Sequence, residues 1–177
     1  MLHAHDLPAD RIGFRPFAPD DLPMAAAWLR VPEVALWWRD ADEQLALLTA
    51  DLDDPRMTQE IVTLDAAPFA YVQHYECHAW PDAAEFAHMP QGARAIDGFI
   101  GRADLIGRGL GSAFLRILGD RLLADGAPAL VIDPDPSNER AVRAYRRAGF
   151  AGDRILPGWD GDPVLILERW PETRAED

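Results

Sequence analysis

Between Ile96 and Leu123 a short apolar run is followed by three glycines at every second position and then by an amphipathic repeat. No other stretch of the chain limits its fold so tightly. Ile96 to Ile100 predicts a strand with one acid, Asp97, set inside it. Gly107-Arg108-Gly109-Leu110-Gly111 predicts a sharp turn whose backbone can approach a ligand closely. From about Arg108 to Leu123, the residues Leu110, Phe114, Ile117, Leu118 and Leu122 recur at helical spacing and form a core-facing stripe. A helix that starts at such a turn aims its unpaired N–H groups and its positive dipole end at one place. Strand, turn and helix together suit an anion such as a pyrophosphate.

The chain has 177 residues, 49% of them hydrophobic, enough for one substantial core. No linker-like stretch divides it, so a single domain over residues 1–177 is expected. A formal charge of −13 opposes phosphate backbones and anionic lipid, which speaks against nucleic acid or a membrane surface as partner. The same charge favours a cationic substrate and also serves solubility. Cys77 is the only cysteine, which leaves no internal disulfide framework and no thiolate metal site. His3 with His5, and His74 with His78, have spacings a metal could use, but neither pair has a third ligand in view, and no metal is expected. The opening Met1–Asp6 lacks the basic patch and apolar core of a secretory signal. No apolar run approaches the roughly 20 residues of a membrane span, so the cytoplasm is the expected location.

Taken in order, Arg11–Phe17 predicts a strand, and a helix runs from an Asp20 cap to about Arg30. Adjacent Trp37 and Trp38 cannot both face inward on one regular element; one suits the core and the other a cleft. Asp42–Leu52 predicts a second helix, and Thr58–Leu64 with Pro68–Cys77 a hairpin turning at Asp65-Ala66-Ala67. Residues from His78 to Arg94 predict a long, partly ordered loop. After the glycine turn and its helix come a buried strand at Ala129–Ile132 and a helix capped by Ser137 or Asn138 and ended by Gly149. Strands at Phe150–Leu156 and Val164–Trp170 close the chain before a charged tail from Glu172. The order β-α-α-β-β-β-α-β-α-β-β predicts an α/β class of the α+β kind, a mixed sheet with helices packed on it.

Alone, G-R-G-L-G is weak evidence. A dinucleotide fingerprint needs G-x-G-x-x-G after the first strand, and a Walker loop needs a lysine, which this chain lacks entirely. A second motif narrows the reading. Asn138, Ala141, Tyr145, Gly149 and Phe150 keep the spacing N-x-x-A-x-x-x-Y-x-x-x-G-F, after the strand that follows the glycine-turn helix. In that order and at that separation the two motifs resemble the GNAT superfamily of N-acetyltransferases. The resemblance implies the GNAT acyl-CoA N-acyltransferase fold, with a mostly antiparallel mixed sheet flanked by helices. It also implies acetyl-CoA as co-substrate, bound by backbone amides of Arg108, Gly109, Leu110, Gly111 and Ser112, with Asn138 near the pantetheine arm. Backbone N–H groups near Phe99 and Ile100 would hold that arm and polarise the thioester, and Tyr145 would protonate the departing thiolate. A phenol with an ordinary pKa of about 10 can return a proton to such a thiolate.

Ile106 stands where many members carry Gln or Arg, three residues before the middle glycine, which removes one polar group from the phosphate side. An aliphatic residue there is similar to the aminoglycoside 6′-N-acetyltransferase branch. So are Trp37-Trp38, Ala70-Tyr71-Val72-Gln73-x-Tyr75, Ala95-Ile96-Asp97 and Asp133-Pro134-x-Pro136-Ser137-Asn138. Carried over by that resemblance, Asp97 is a substrate-binding acid and the base, and Asp133 contacts a cationic sugar. Trp38, Gln73, Asp160 and, in the long loop, Asp82 are further substrate contacts. Eleven acids against two arginines between Arg39 and Met89 agree with a polycationic acceptor. The acceptor implied is the primary amine of a cationic small molecule, an aminoglycoside above all, handled by a monomer or homodimer. Siderophore-type lysine or hydroxylysine acylation and protein N-terminal acetylation stay open, as does a CoA-binding module without catalysis. In the siderophore branch a histidine stands at the place of Asp97.

Overall fold

The computed structural model describes residues 9–172. His3, His5 and the tail beyond Glu172 lie outside them. Seven strands hydrogen-bond in the order β1-β2-β3-β4-β5-β7-β6. They are β1 (Ile12–Pro16), β2 (Met57–Leu64), β3 (Ala67–Glu76), β4 (Arg94–Ile100), β5 (Leu130–Ile132), β6 (Ala151–Pro157) and β7 (Pro163–Arg169). Five helices accompany them: α1 (Leu22–Leu29), α2 (Pro32–Ala35), α3 (Ala41–Ala50), α4 (Leu110–Ala124) and α5 (Glu139–Arg147). Every strand and long helix expected from the sequence is present, and α2 is an addition. The described residues pack as two compact units. One holds those up to Tyr75 together with Ile96–Phe114, the other Glu76–Ala95 together with those from Leu115 on.

In the first unit β1, β2 and β3 form an antiparallel meander. Its hairpin turns on Asp65 and Ala66, both at positive φ (50° and 65°), as a two-residue turn between twisted strands demands. The Gly101 N–H donates to the Phe69 carbonyl at 2.9 Å, and in the other unit the Cys77 N–H donates to Ala93 at 2.9 Å, so β4 runs antiparallel to β3. Phe17, Ala25, Trp28, Leu29, Val34, Leu48, Ile61, Tyr71 and Phe99 make the core of this unit. Gly101 is obligatory, because a Cβ there would lie 2.0 Å from the Trp28 ring. α3 is capped by Asp40, whose carboxylate accepts the Glu43 N–H.

The start of α1 differs from expectation. Pro19–Asp21 is a 3₁₀ turn, and Asp21, not Asp20, carries the bonds. Asp21 is buried and accepts two hydrogen bonds of 2.7 Å from Arg15 and one of 3.0 Å from the Ala18 N–H. The Arg15 hydrogen bonds hold its carboxyl below the usual carboxylate range against the opposing effect of desolvation. A depressed folded pKa contributes stability that is present above the unfolded value of about 3.9 and is lost as pH falls through the folded value. Asp21→Asn should therefore cost about 1 kcal/mol at pH 7, and urea midpoints should show that difference shrinking below about pH 4.

In the second unit β5 pairs parallel with the start of β4, Arg94 with Leu130 and Ala95 with Val131, and antiparallel with β7. β6 and β7 form the closing antiparallel hairpin. The Asn138 side chain accepts the Ala141 N–H at 3.2 Å, which makes it the cap of α5, and Gly149 ends that helix at φ 96°. Arg169 passes between Gly119 and Gly149, donates to the Arg116 carbonyl and pairs with Asp120. Arg116 in turn donates to the Arg147 carbonyl at the end of α5. The segment from His78 to Ala93 is a loop, as expected, with one short 3₁₀ turn at Ala84–Phe86. It folds around its own buried Phe86 and Met89, with the His78 ring on the Met89 carbonyl and the Gly92 N–H on Glu76.

Candidate active site

In the first unit the antiparallel register sets Gln59 of β2 opposite Gln73 of β3, and the β3–β4 ladder continues that row to Asp97. Residues directly opposite share a face, with Cβ atoms about 5 Å apart. Gln73 Nε2 donates to Asp97 Oδ2 at 3.1 Å, and the Tyr71 hydroxyl donates to Gln73 Oε1 at 2.7 Å. Gln59 Nε2 donates to the Tyr71 oxygen at 2.8 Å and to the Leu48 carbonyl at 3.0 Å. Tyr71 is fully buried, and desolvation pushes its phenol far above the ordinary range, so the hydroxyl keeps its proton and donates it.

Aromatic rings pack around this chain. Phe99 stacks on Tyr71 at 5.5 Å, and Trp38 meets Phe99 edge-on at 4.9 Å and Tyr71 at 6.3 Å. Trp37 and Trp38 are both half-buried, and Trp38 is the one that packs against the core of this unit. His74 lies on the opposite face of β3 from Gln73, buried 3.7 Å from Glu60, where it cannot serve as a base for an amine near Asp97.

The glycine turn also belongs to this unit. Gly107 and Gly109 sit at φ 78° and 80°, where a side chain would be strained, and α4 begins at Leu110, two residues later than expected. The Ser112 hydroxyl donates to the Gly109 carbonyl, so what Ser112 can offer a phosphate is its backbone N–H. The first-turn amides of a 15-residue helix, with the exposed Arg108 two residues ahead of it in the chain, are a donor set that fits a pyrophosphate. Ile100, at the end of β4, lies 3.7 Å from where a Cβ on Gly111 would sit. Along α4 the buried stripe is Leu110, Phe114, Leu115, Leu118 and Leu122, with Ile117 at its margin.

The second unit carries the remaining expected residues. Tyr145 is half-buried on α5, seven residues past the capping Asn138. Asn138 uses its carbonyl oxygen for the cap, so its NH₂ is the group it can present to a ligand. Asp133 follows β5 and is half-buried, close enough to Cys77 to help raise that thiol. Burial is the larger cause; it pushes the Cys77 thiol up to about 12 and leaves it inert at neutral pH. Asp160 is exposed in the β6–β7 connection, where its carboxylate accepts the Asp162 N–H at 3.0 Å. Asp82 is exposed before the 3₁₀ turn Ala84–Phe86. Among the described residues no group of three or more His, Cys, Asp or Glu side chains is arranged to hold a metal ion.

The acetyltransferase (GNAT) domain family matches residues 18–157, which include both motifs and the whole Gln59–Tyr71–Gln73–Asp97 row. The chain belongs to the GNAT acetyltransferases. Aminoglycoside N(6′)-acetyltransferase type 1 of Klebsiella pneumoniae is 30% identical over 167 residues, 90% of this chain and 83% of that protein. Among solved structures, AAC(6′)-Ib with ribostamycin and coenzyme A is 28% identical at a TM-score of 0.83, covering 95% of this chain and 100% of that one. AAC(6′)-Ib with paromomycin and acetyl-CoA is 28% identical at a TM-score of 0.80, with the same coverage. This GNAT acetyltransferase thus matches those proteins along nearly all of its length, and its mixed seven-stranded sheet with flanking helices is theirs. Gln59 and the role of Tyr71 are not visible in the motifs. The period-two row Tyr71, Gln73, Tyr75 is the sequence signal that could have pointed to them.

Proposed function

We propose that this enzyme transfers acetyl from acetyl-CoA to a primary amine of an aminoglycoside or closely related cationic amino sugar, the 6′-amine first. What carries the acceptor class is the Asp97 carboxylate, held by Gln73 in a chain similar over nearly its full length to aminoglycoside N(6′)-acetyltransferases. The whole chain acts as one catalytic domain, in the cytoplasm, as a monomer or homodimer. Among the described residues no helix is long and apolar enough to cross a membrane.

Backbone amides of Arg108 to Ser112 bind the pyrophosphate, and the amides of Phe99 and Ile100 with the Asn138 NH₂ hold the arm that carries the thioester. Asp97 and Asp133 bind the cationic sugar, with Trp38, Gln73, Asp82 and Asp160 as further contacts. The amine arrives as an ammonium, with an ordinary pKa near 10, and cannot attack until it loses a proton. Asp97 takes that proton through a water molecule. The nitrogen lone pair then attacks the thioester carbonyl, whose developing oxyanion is met by backbone N–H groups of β4. Collapse breaks the carbon–sulfur bond, Tyr145 protonates the thiolate, and the surplus proton of the new amide nitrogen restores the phenol through solvent. Thiol release from acetyl-CoA should depend on the acceptor, and a panel of aminoglycosides, polyamines, hydroxylysine and N-terminal peptides tests this. Turnover confined to aminoglycosides supports the reading; turnover confined to hydroxylysine or peptides would replace the acceptor class, and thiol release with none of them would remove catalysis itself.

A further inference from the structure

We infer that Tyr71 and Gln59 are positioning residues for Asp97: they fix the Gln73 amide so that its NH₂, and not its carbonyl, meets the carboxylate. The inference rests on the reading of Asp97 as the base and concerns how that base is held.

A glutamine amide can present either end to a neighbour, and the neighbours decide which. At the far end of the row stands the Leu48 carbonyl, which can only accept, so Gln59 must turn its NH₂ toward it. The second hydrogen of that NH₂ goes to the Tyr71 oxygen. Tyr71 then has one hydrogen to give, and it gives it to Gln73 Oε1 at 2.7 Å. Gln73 is left with its NH₂ toward Asp97. An ionised carboxylate only accepts, so the row is bounded at both ends by pure acceptors, and this is the assignment that satisfies every member. Turning Gln73 over would set its carbonyl against the carboxylate and put two donors on the Tyr71 oxygen. Tyr71 is fully buried among Phe17, Trp38 and Phe99, which makes such a mismatch at its hydroxyl costly.

The consequence is directional. Without the Tyr71 hydroxyl the Gln73 amide loses the contact that selects its orientation, and Asp97 loses a donor fixed on its ionised form. The ring packing of Tyr71 is kept in Tyr71→Phe, so that variant isolates the hydroxyl. A kinetic double-mutant cycle with Asp97→Asn, read as thiol release with an aminoglycoside acceptor, separates positioning from general structural damage. Tyr71→Phe alone should lower kcat about 10-fold with the KM for acetyl-CoA unchanged, and by less than about twofold when Asp97 is already Asn. Equal losses in both backgrounds, or a wild-type kcat in Tyr71→Phe beside an impaired Asp97→Asn, would overturn the relay and leave the role of Asp97 standing. A wild-type rate in Asp97→Asn would instead remove the base, and the positioning role with it. A second readout needs no turnover. The Gln73 side-chain NH₂ resonances, identified by their loss in Gln73→Leu, should move in both Tyr71→Phe and Asp97→Asn; resonances that ignore Tyr71→Phe contradict the relay.

Discussion

Asp97→Asn should lower kcat for amine acetylation at pH 7 by about two to four orders of magnitude, the range that loss of a positioned general base produces. The substitution keeps the size of the side chain and its place opposite Gln73 on β4, so the fold and acetyl-CoA affinity should be retained. What disappears is the acceptor for the ammonium proton and one negative charge toward a cationic sugar, so the KM for the acceptor should rise as well. The defect should depend on pH in one direction. As pH climbs toward the ordinary amine pKa of about 10, solvent deprotonates more of the acceptor and the gap to wild type should narrow. A gap that stays constant with pH would assign Asp97 to binding and not to proton transfer.

Tyr145→Phe should lower kcat about 100-fold while leaving acetyl-CoA and acceptor affinities close to wild type. Its half-buried place on α5 means that little packing is disturbed by removing one hydroxyl. If the phenol protonates the departing thiolate, the loss should shrink with a donor whose thiol is more acidic and leaves without help. An acetyl thioester of an aryl thiol provides that comparison. A loss of the same size with both donors would show that Tyr145 orients the thioester and is not its acid.

Much of this architecture was legible because it depends on local rules. The glycine turn, the Asn138 cap with its C-terminal Gly149 and the Asp65-Ala66 hairpin are each set by residues a few positions apart. The place of Asp97 inside a strand was legible too, as one acid within an apolar run. Within the loop from His78 to Arg94, the burial of Phe86 and Met89 is not visible in a composition of alanine, proline and acids. The Asp20 cap failed for a similar reason: Arg15 on β1 selects Asp21 across a turn that local propensity cannot weigh. The positioning row was least accessible. Gln59, Tyr71 and Asp97 meet only through the registers of β2 on β3 and β3 on β4, and a slip of one residue would place them on opposite faces.

The position of the transferred acetyl group is the decisive measurement. Purified protein should be incubated with acetyl-CoA and kanamycin or ribostamycin, and the product analysed by NMR for the position of the new amide. One acetyl per aminoglycoside is expected, on the 6′-amine, with one thiol released for each amide formed. An acetyl group on another amine would contradict the assigned regiochemistry, and thiol release without acetylated aminoglycoside would contradict the account itself.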